Sequence, residues 1–384
     1  MRRALTFLLL VLLPAGAQWL ETILALPDSF AGLVKPNCLE ADSAAGLVYV
    51  GGEEGGGVTI IDGSTLERVG RLCPDAAVPA VLCVPEKDRV YCANYYGNRI
   101  DVYERSTRRH IGFVSVGIAP SALCYNPREQ KIYCANSGRL GQDDSTVSII
   151  DVGADTVLST LVVGRGPGYL CYNPFGSRVY CACFSGRLAV IDGQTDSVVR
   201  RHSVEQPRGL CYNPVNQKMY CSTAEMPFSG IRVFDARTDT GGLLLPVRHD
   251  PGPICYNPAN NRVYVAQQMG WGVIGFDGAS NARVCSIAVP NNPSGLCYNP
   301  AGNKLYCSSR LSYAPTVTVI DCNSNSILAT IPAHAEPGVL CHLPGINRVF
   351  CANWFGRSVT VVDGTTNRLL GHVGVGATPG AACY

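Results

Sequence analysis

Between Pro293 and Pro332 short apolar runs alternate with clusters of turn formers. Residues 295–298 and 304–307 flank Asn299-Pro300-Ala301-Gly302-Asn303, and that pair reads as a hairpin. A β-branched run at 317–320 closes on Asp321 and the turn set 323–325, and a fourth run covers 327–331. We name the four strands A, B, C and D. Each is four to six residues long with both side-chain parities largely apolar, so both faces need covering, and one unit must stack on its neighbours to be stable.

The plan recurs about eight times. Strand A begins as Pro79-Ala-Val-Leu-Cys83, Pro120-Ser-Ala-Leu-Cys124, Pro167-Gly-Tyr-Leu-Cys171, Pro207-Arg-Gly-Leu-Cys211, Pro251-Gly-Pro-Ile-Cys255, Pro293-Ser-Gly-Leu-Cys297 and Pro337-Gly-Val-Leu-Cys341, with Cys38 heading a degenerate first copy. A Pro at a strand start loses no ladder donor. Successive cysteines lie 40 to 47 residues apart, and a four-stranded unit at that period is the signature of a propeller blade. The expected fold is therefore an all-β β-propeller of four-stranded antiparallel blades, in about eight repeats.

Two further positions recur. A cation, Arg89, Lys131, Arg178, Lys218, Arg262, Lys304 or Arg348, follows each A–B turn, and reads either as an anion-binding ring or, more simply, as a solvated turn residue. Strand C ends in Asp62, Asp151, Asp192, Asp235, Asp277, Asp321 and Asp363, with Glu104 in the second unit. A carboxylate in every blade is expected as a turn former, since Asp bonds its own backbone two residues on.

With 384 residues, 47% hydrophobic and 16% charged, with 41 Gly and 25 Pro, the composition suits a large turn-rich β protein. The formal charge of +2 argues against nucleic acid, which needs clustered Lys and Arg. Residues 1–17 read as a secretory leader, with Arg2 and Arg3, an apolar stretch at 5–13 and Ala15-Gly16-Ala17 as a cleavage site. The apolar run is far short of the roughly 20 residues needed to span a bilayer. The expected organisation is a signal peptide over 1–17, a single propeller domain over 18–384, an extracytoplasmic location and no membrane span.

Strand B reads Tyr91-Cys-Ala-Asn94, Tyr133-Cys-Ala-Asn136 and Phe350-Cys-Ala-Asn353, followed by strands such as Val359-Thr-Val-Val-Asp363-Gly. This resembles the YVTN-type β-propeller repeat family of extracytoplasmic, surface-layer-like proteins, in a cysteine-rich variant, over residues 36–384. The copies Tyr264-Val-Ala-Gln267, Tyr220-Cys-Ser-Thr223 and Tyr306-Cys-Ser-Ser309 depart from the pattern, and the Trp-Asp signature of WD40 repeats is absent. At the ends, residues 22–27 resemble strand D and 379–384 restart strand A. The expectation is eight units closing among themselves; the alternative is a chain cut short.

Nineteen cysteines need an explanation. Six hairpins carry one on each strand: Cys83 with Cys92, Cys124 with Cys134, Cys171 with Cys181, Cys211 with Cys221, Cys297 with Cys307, and Cys341 with Cys351. Disulfides and buried thiols both fit, and buried thiols are favoured because Val265 stands where other units have Cys, as a packing site would accept. Cys181-x-Cys183 is a weak metal pair, and the six histidines show no ligand spacing, so no metal or other cofactor is expected.

The turns joining A to B are nearly uniform. Individuality lies in the B–C loops, which in a propeller share one face with the D–A loops. They carry Tyr95, Tyr96, Arg139, Phe184, Arg187, Phe228, Trp271, Arg310, Tyr313, Trp354, Phe355 and Arg357, and aromatics and Arg are the types enriched at interaction hot spots. The expected function is a non-catalytic binding or surface-structural module presenting this face to a protein, peptide or glycan. The alternative is a propeller enzyme, a lactonase-like hydrolase or quinone-dependent dehydrogenase, with its site at the central channel. No Ser-His-Asp order or phosphate loop supports it, and only Asp143, Asp144 and Glu225 suggest metal carboxylates.

Overall fold

The computed structural model describes residues 34–224, 229–290, 292–310 and 314–376. The leader, the strand expected at 22–27, the restart at 379–384, and Glu225, Phe228 and Tyr313 lie outside them.

Thirty-two strands form eight four-stranded antiparallel sheets, each from four consecutive strands in A-B-C-D order. The blades cover residues 34–72, 81–115, 120–162, 167–203, 207–246, 251–288, 293–332 and 337–374. Among the described residues every blade has its four strands from one continuous stretch of chain, and blade 1 packs against blade 8 to close the ring. One hydrophobic cluster holds Val48, Val50 and Ile61 of blade 1 together with Phe350, Val359 and Val361 of blade 8.

Burial within a blade follows distance from the axis. In blade 3, strands B (Lys131–Asn136) and C (Thr146–Asp151) are buried on both faces, as expected from their two apolar parities. Strand D (Thr156–Val162) is not; Val157, Leu158 and Val162 are exposed. Blades diverge outward, so the outermost strand loses its neighbours. Strand A (Pro120–Asn126) is half-open along its middle, as the wall of an axial channel must be.

The register resolves the cysteines. Cys134 pairs with Leu123 and Cys124 with Tyr133, and neighbouring residues on a strand point to opposite faces. The same offset holds for Cys171 and Cys181, Cys211 and Cys221, Cys297 and Cys307, and Cys341 and Cys351. None of these five hairpins can close a disulfide, because the two sulfurs pack against different neighbouring blades. Cys83 and Cys92 do share a face, but Cys83 sits opposite Val90, two places out of step.

Register also corrects the alignment of the first two repeats. Glu40, not Cys38, lies opposite Tyr49, and Leu82, not Cys83, lies opposite Tyr91. The inner belt is thus six half-buried cysteines, Cys124, Cys171, Cys211, Cys255, Cys297 and Cys341, completed by Glu40 and Leu82.

The recurrent cations are neither an anion ring nor solvated turn residues. Each opens strand B and reaches the C–D turn of the next blade. Lys131 Nζ meets Asp196 Oδ1 at 2.8 Å and the Gly193 carbonyl at 2.9 Å; Lys304 Nζ meets Asn367 Oδ1 at 2.8 Å and the Gly364 carbonyl at 2.7 Å. The acceptors Asp155, Asp196, Asp239, Asn281, Asn325 and Asn367 all have φ between 51° and 62°. That left-handed conformation is one Asn and Asp tolerate best among non-Gly residues, so one side chain both makes the turn and receives the preceding blade. The strand-C carboxylates are turn formers as expected, Asp363 Oδ1 accepting the Thr365 and Thr366 amides at 2.9 and 2.7 Å.

One seam runs the other way. Between blades 1 and 2 the carboxylate belongs to the earlier blade, buried Asp42, and Arg105 from the C–D turn of blade 2 grips it, with Nη2 donating to Oδ1 at 3.0 Å.

Candidate functional site

The strand-A starts and B–C loops of blades 1 to 4 converge on a cavity of about 490 Å³ at one mouth of the ring. That size lies in the range of small-ligand pockets. Its aromatic walls are two edge-to-face pairs: Tyr95 with Tyr96, ring centroids 5.1 Å apart, and Tyr169 with Phe184 at 6.1 Å. Blade 1 supplies Asn37, Glu53 and Glu54, and Pro79, Ser121, Ser137 and Gly168 complete the lining. Tyr96 is 63% and Phe184 58% exposed, so these rings do not serve mainly as packing.

The polar side is organised from blade 1. Asn37 Nδ2 donates to Glu53 Oε1 at 2.7 Å, while Asn37 Oδ1 is buried without a partner among the described residues. Glu54 is paired with Lys35, whose Nζ lies 5.4 Å from the ring centre of Trp354 in blade 8. Arg310 of blade 7 approaches the same indole at 5.8 Å, and Phe355 packs on it at 4.6 Å. Lys35 therefore joins the cavity rim to a cationic and aromatic cluster around Trp354, contacts of a kind that contribute more as they are desolvated.

Of the residues singled out in the sequence, Tyr95, Tyr96 and Phe184 line the cavity, and Arg310, Trp354 and Phe355 form the second cluster. Arg139 is held in its own loop by Gln142, its Nε donating at 2.6 Å. Trp271, 62% exposed, stands on blade 6 away from both. Arg187 opens a strand C on blade 4 and Arg357 carries the B–C turn of blade 8, with φ 45°. Asp144 is committed to its loop, accepting the Ile118 amide at 2.7 Å and the Thr146 hydroxyl at 2.6 Å, and Asp143 pairs with Arg165 at 2.9 Å. Sequence reasoning missed Asn37, Ser121, Gly168 and Tyr169. The signal was present: Ser121 and Gly168 directly follow the Pro that starts strand A, Tyr169 stands one place further on, and the innermost strand must begin at the axial mouth.

Deeper in the channel, Glu40 stands in the cysteine belt. Burial pushes its carboxyl up to about 7, against the Cys83 amide that donates to it at 3.1 Å, and neighbouring Asp42 raises it further. Burial likewise pushes the Cys124, Cys171 and Cys255 thiols up to about 12, so the belt is protonated and a poor nucleophile at neutral pH. Among the described residues no group of three or more His, Cys, Asp and Glu is arranged to hold a metal ion, and no helix is long and apolar enough to cross a membrane.

Fold and channel define the class: an eight-bladed β-propeller with an aromatic-lined axial mouth. No family model and no curated protein matches the chain. Among solved structures it is similar to hydrazine synthase of Kuenenia stuttgartiensis, at 18% identity over 87% of this chain and 97% of that one, with a TM-score of 0.61. It is also similar to the computationally designed Ika8 protein, at 15% over 86% and 98% with TM-score 0.69, and to the dihydro-heme d1 dehydrogenase NirN, at 14% over 88% and 75% with TM-score 0.72. At these identities the likeness establishes the fold.

Proposed function

We propose that this protein is a non-catalytic extracytoplasmic binding or surface-structural propeller, related to the YVTN-type repeats, that engages a protein, peptide or glycan at the face formed by its B–C and D–A loops. The observation that carries the reading is the cavity at the axial mouth, where two aromatic pairs from blades 2 and 4, each with one exposed ring, Tyr96 and Phe184, stand beside the acidic and amide groups of blade 1. Exposed, edge-locked rings supply contact area at little cost in side-chain entropy, which is what hot spots require. The leader-like residues 1–17 support export.

The test is titration calorimetry against defined oligosaccharides and peptides. Binding of at least one class is expected, weakened about tenfold or more by Tyr96→Ala or Phe184→Ala, with the thermal midpoint unchanged because both rings are exposed. A ligand indifferent to both substitutions would remove the site from this mouth.

A second reading, an enzyme at the channel, is favoured by one observation. Glu40 breaks the cysteine belt with a carboxyl brought near neutrality, a position from which it could act as general acid or base. Turnover of a substrate that Glu40→Gln abolishes would establish it over the binding reading.

A further inference from the structure

The seam between blades 1 and 2 differs from the other seven in more than its reversed ion pair. Cys38, Cys73, Cys83 and Cys92 all pack in one cluster there, with Leu47, Tyr49 and Ile60 from blade 1. Cys73 lies outside the repeat: it follows the last strand of blade 1 and turns the chain with φ 46°. Its amide donates to the Tyr103 hydroxyl at 2.8 Å, and its thiol donates to Asp101 Oδ2 at 3.8 Å. Asp101 is the direct cross-strand neighbour of Cys92, so Cys73 is anchored on the face of blade 2 from which Cys92 projects. Both sulfurs belong to the same buried cluster at this seam, Cys73 from the end of blade 1 and Cys92 from strand B of blade 2, each a free thiol in this structure.

We infer that Cys73 and Cys92 form a disulfide that staples blade 1 to blade 2. The other thiol neighbours fit the bond less well. Cys83 is diagonal to Cys92, about 7–8 Å away between Cα atoms by sheet geometry, beyond what a disulfide spans. Cys181 and Cys183 share one face of strand B in blade 4, but they lie two residues apart on one strand, about 6.6 Å at the usual rise, the far limit of the same span. Cys73 and Cys92, among the described residues, come from two separate segments of neighbouring blades, and Cys73 is tied by Asp101 to the strand position directly opposite Cys92. The bond also falls where a staple has most to do, at the seam that lacks the forward clasp from strand B.

Both thiols are buried in the folded ring, so the bond forms as the seam closes during folding, with a small disulfide such as glutathione disulfide as oxidant. The Cys73 thiolate attacks one glutathione sulfur and expels the first glutathione thiolate. The Cys92 thiolate then attacks the Cys73 sulfur and expels the second. Two electrons pass from the cysteine pair to the reagent, and the two protons end on the two glutathiones.

The experiment is refolding of the full chain in a glutathione and glutathione disulfide buffer, followed by alkylation under denaturant, intact mass and peptide mapping. Seventeen alkylated cysteines of the nineteen are expected, with one linked peptide joining Cys73 to Cys92. The oxidised protein should melt at a higher temperature than its reduced form, and Cys73→Ser should abolish that difference. Nineteen alkylated cysteines, or a link from Cys92 to Cys38, would overturn the assignment. The mapping needs no variant, so a Cys73→Ser chain that fails to fold leaves the result decisive.

Discussion

Arg348 Nη1 donates to the Ser64 carbonyl at 2.7 Å, and by that contact the last blade grips the C–D turn of the first, 284 residues away in the chain. The same guanidinium nitrogen also meets the Gly63 carbonyl. Hydrogen bonds to a charged donor contribute about 1.5–3 kcal/mol when the partners are desolvated. Arg348→Met is expected to destabilise the ring by that order, read as a lower thermal midpoint. Arg348→Lys should retain most of the stability, because Lys131, Lys218 and Lys304 do the same work at other seams. A solvated turn residue would show no effect for either.

Glu40 predicts a pH dependence of known sign. Its folded value, about 7, lies above the unfolded one, so the folded state binds its proton more tightly. The stabilisation is complete below the ordinary glutamate range near 4.5 and is lost as pH rises through 7. Glu40→Gln should therefore be progressively more stable than the natural chain from pH 5 to pH 8, compared by thermal melts. His202, His342 and His372 are shifted down mainly by burial and act in the opposite sense, losing stability as pH falls below their unfolded range. They are common to both chains, so the difference isolates Glu40. A constant gap across the pH range would contradict the assignment.

Close approach of the inner strands makes one glycine obligatory. A Cβ on Gly295 would stand 2.1 Å from the carbonyl oxygen of Gly338 in the next blade, a backbone atom that cannot step aside. At Gly209, on the strand A of blade 5, the nearest atom is the Ser222 hydroxyl at 3.3 Å. Gly295→Ala should cost about 1–3 kcal/mol as an overpacking change, whereas Gly209→Ala should be nearly neutral. Equal effects in denaturant titrations would argue against the inter-blade spacing.

Blade 7 lacks a polar bridge that blades 3 and 8 possess. Asn136 Nδ2 reaches Thr146 and Ser148 at 3.0 Å, and Asn353 Nδ2 reaches Ser358 and Thr360 at 3.0 and 2.9 Å. Ser309 stands at that place in blade 7, and the hydroxyls of Ser309, Thr316 and Thr318 are buried with no partner among the described residues. Ser309→Asn should restore the bridge and stabilise the protein by about 1 kcal/mol. A lowered melting temperature would mean that the smaller side chain is needed for space.

The blade itself was legible in the sequence. The runs expected at 295–298, 304–307, 317–320 and 327–331 fall within strands Pro293–Asn299, Lys304–Ser309, Thr316–Asp321 and Ser326–Pro332. Apolar periodicity and turn chemistry are local, and each repeat states them anew, so eight copies leave little freedom for another fold. The turn role of the strand-C carboxylates was equally readable, because an Asx turn involves only the next few residues. The candidate site was half legible: loop aromatics such as Tyr96 and Phe184 stood out, but nothing in the chain said that blades 2 and 4 would face one cavity or that Asn37 would join them.

What the sequence by itself determined is the repeating unit, its strand order and the face on which its variation lies, because these depend on interactions within about 40 residues. Tertiary structure alone decided which blades meet at the mouth, that five of the six hairpins point their cysteines to opposite faces, that strand-B cations serve the next blade, and that Cys73 and Cys92 fall in one cluster. Those relationships join residues through the ring rather than along the chain. They are fixed by register and by the angle between blades, and an offset in register, two residues at Glu40 and one at Leu82, exchanges every partner.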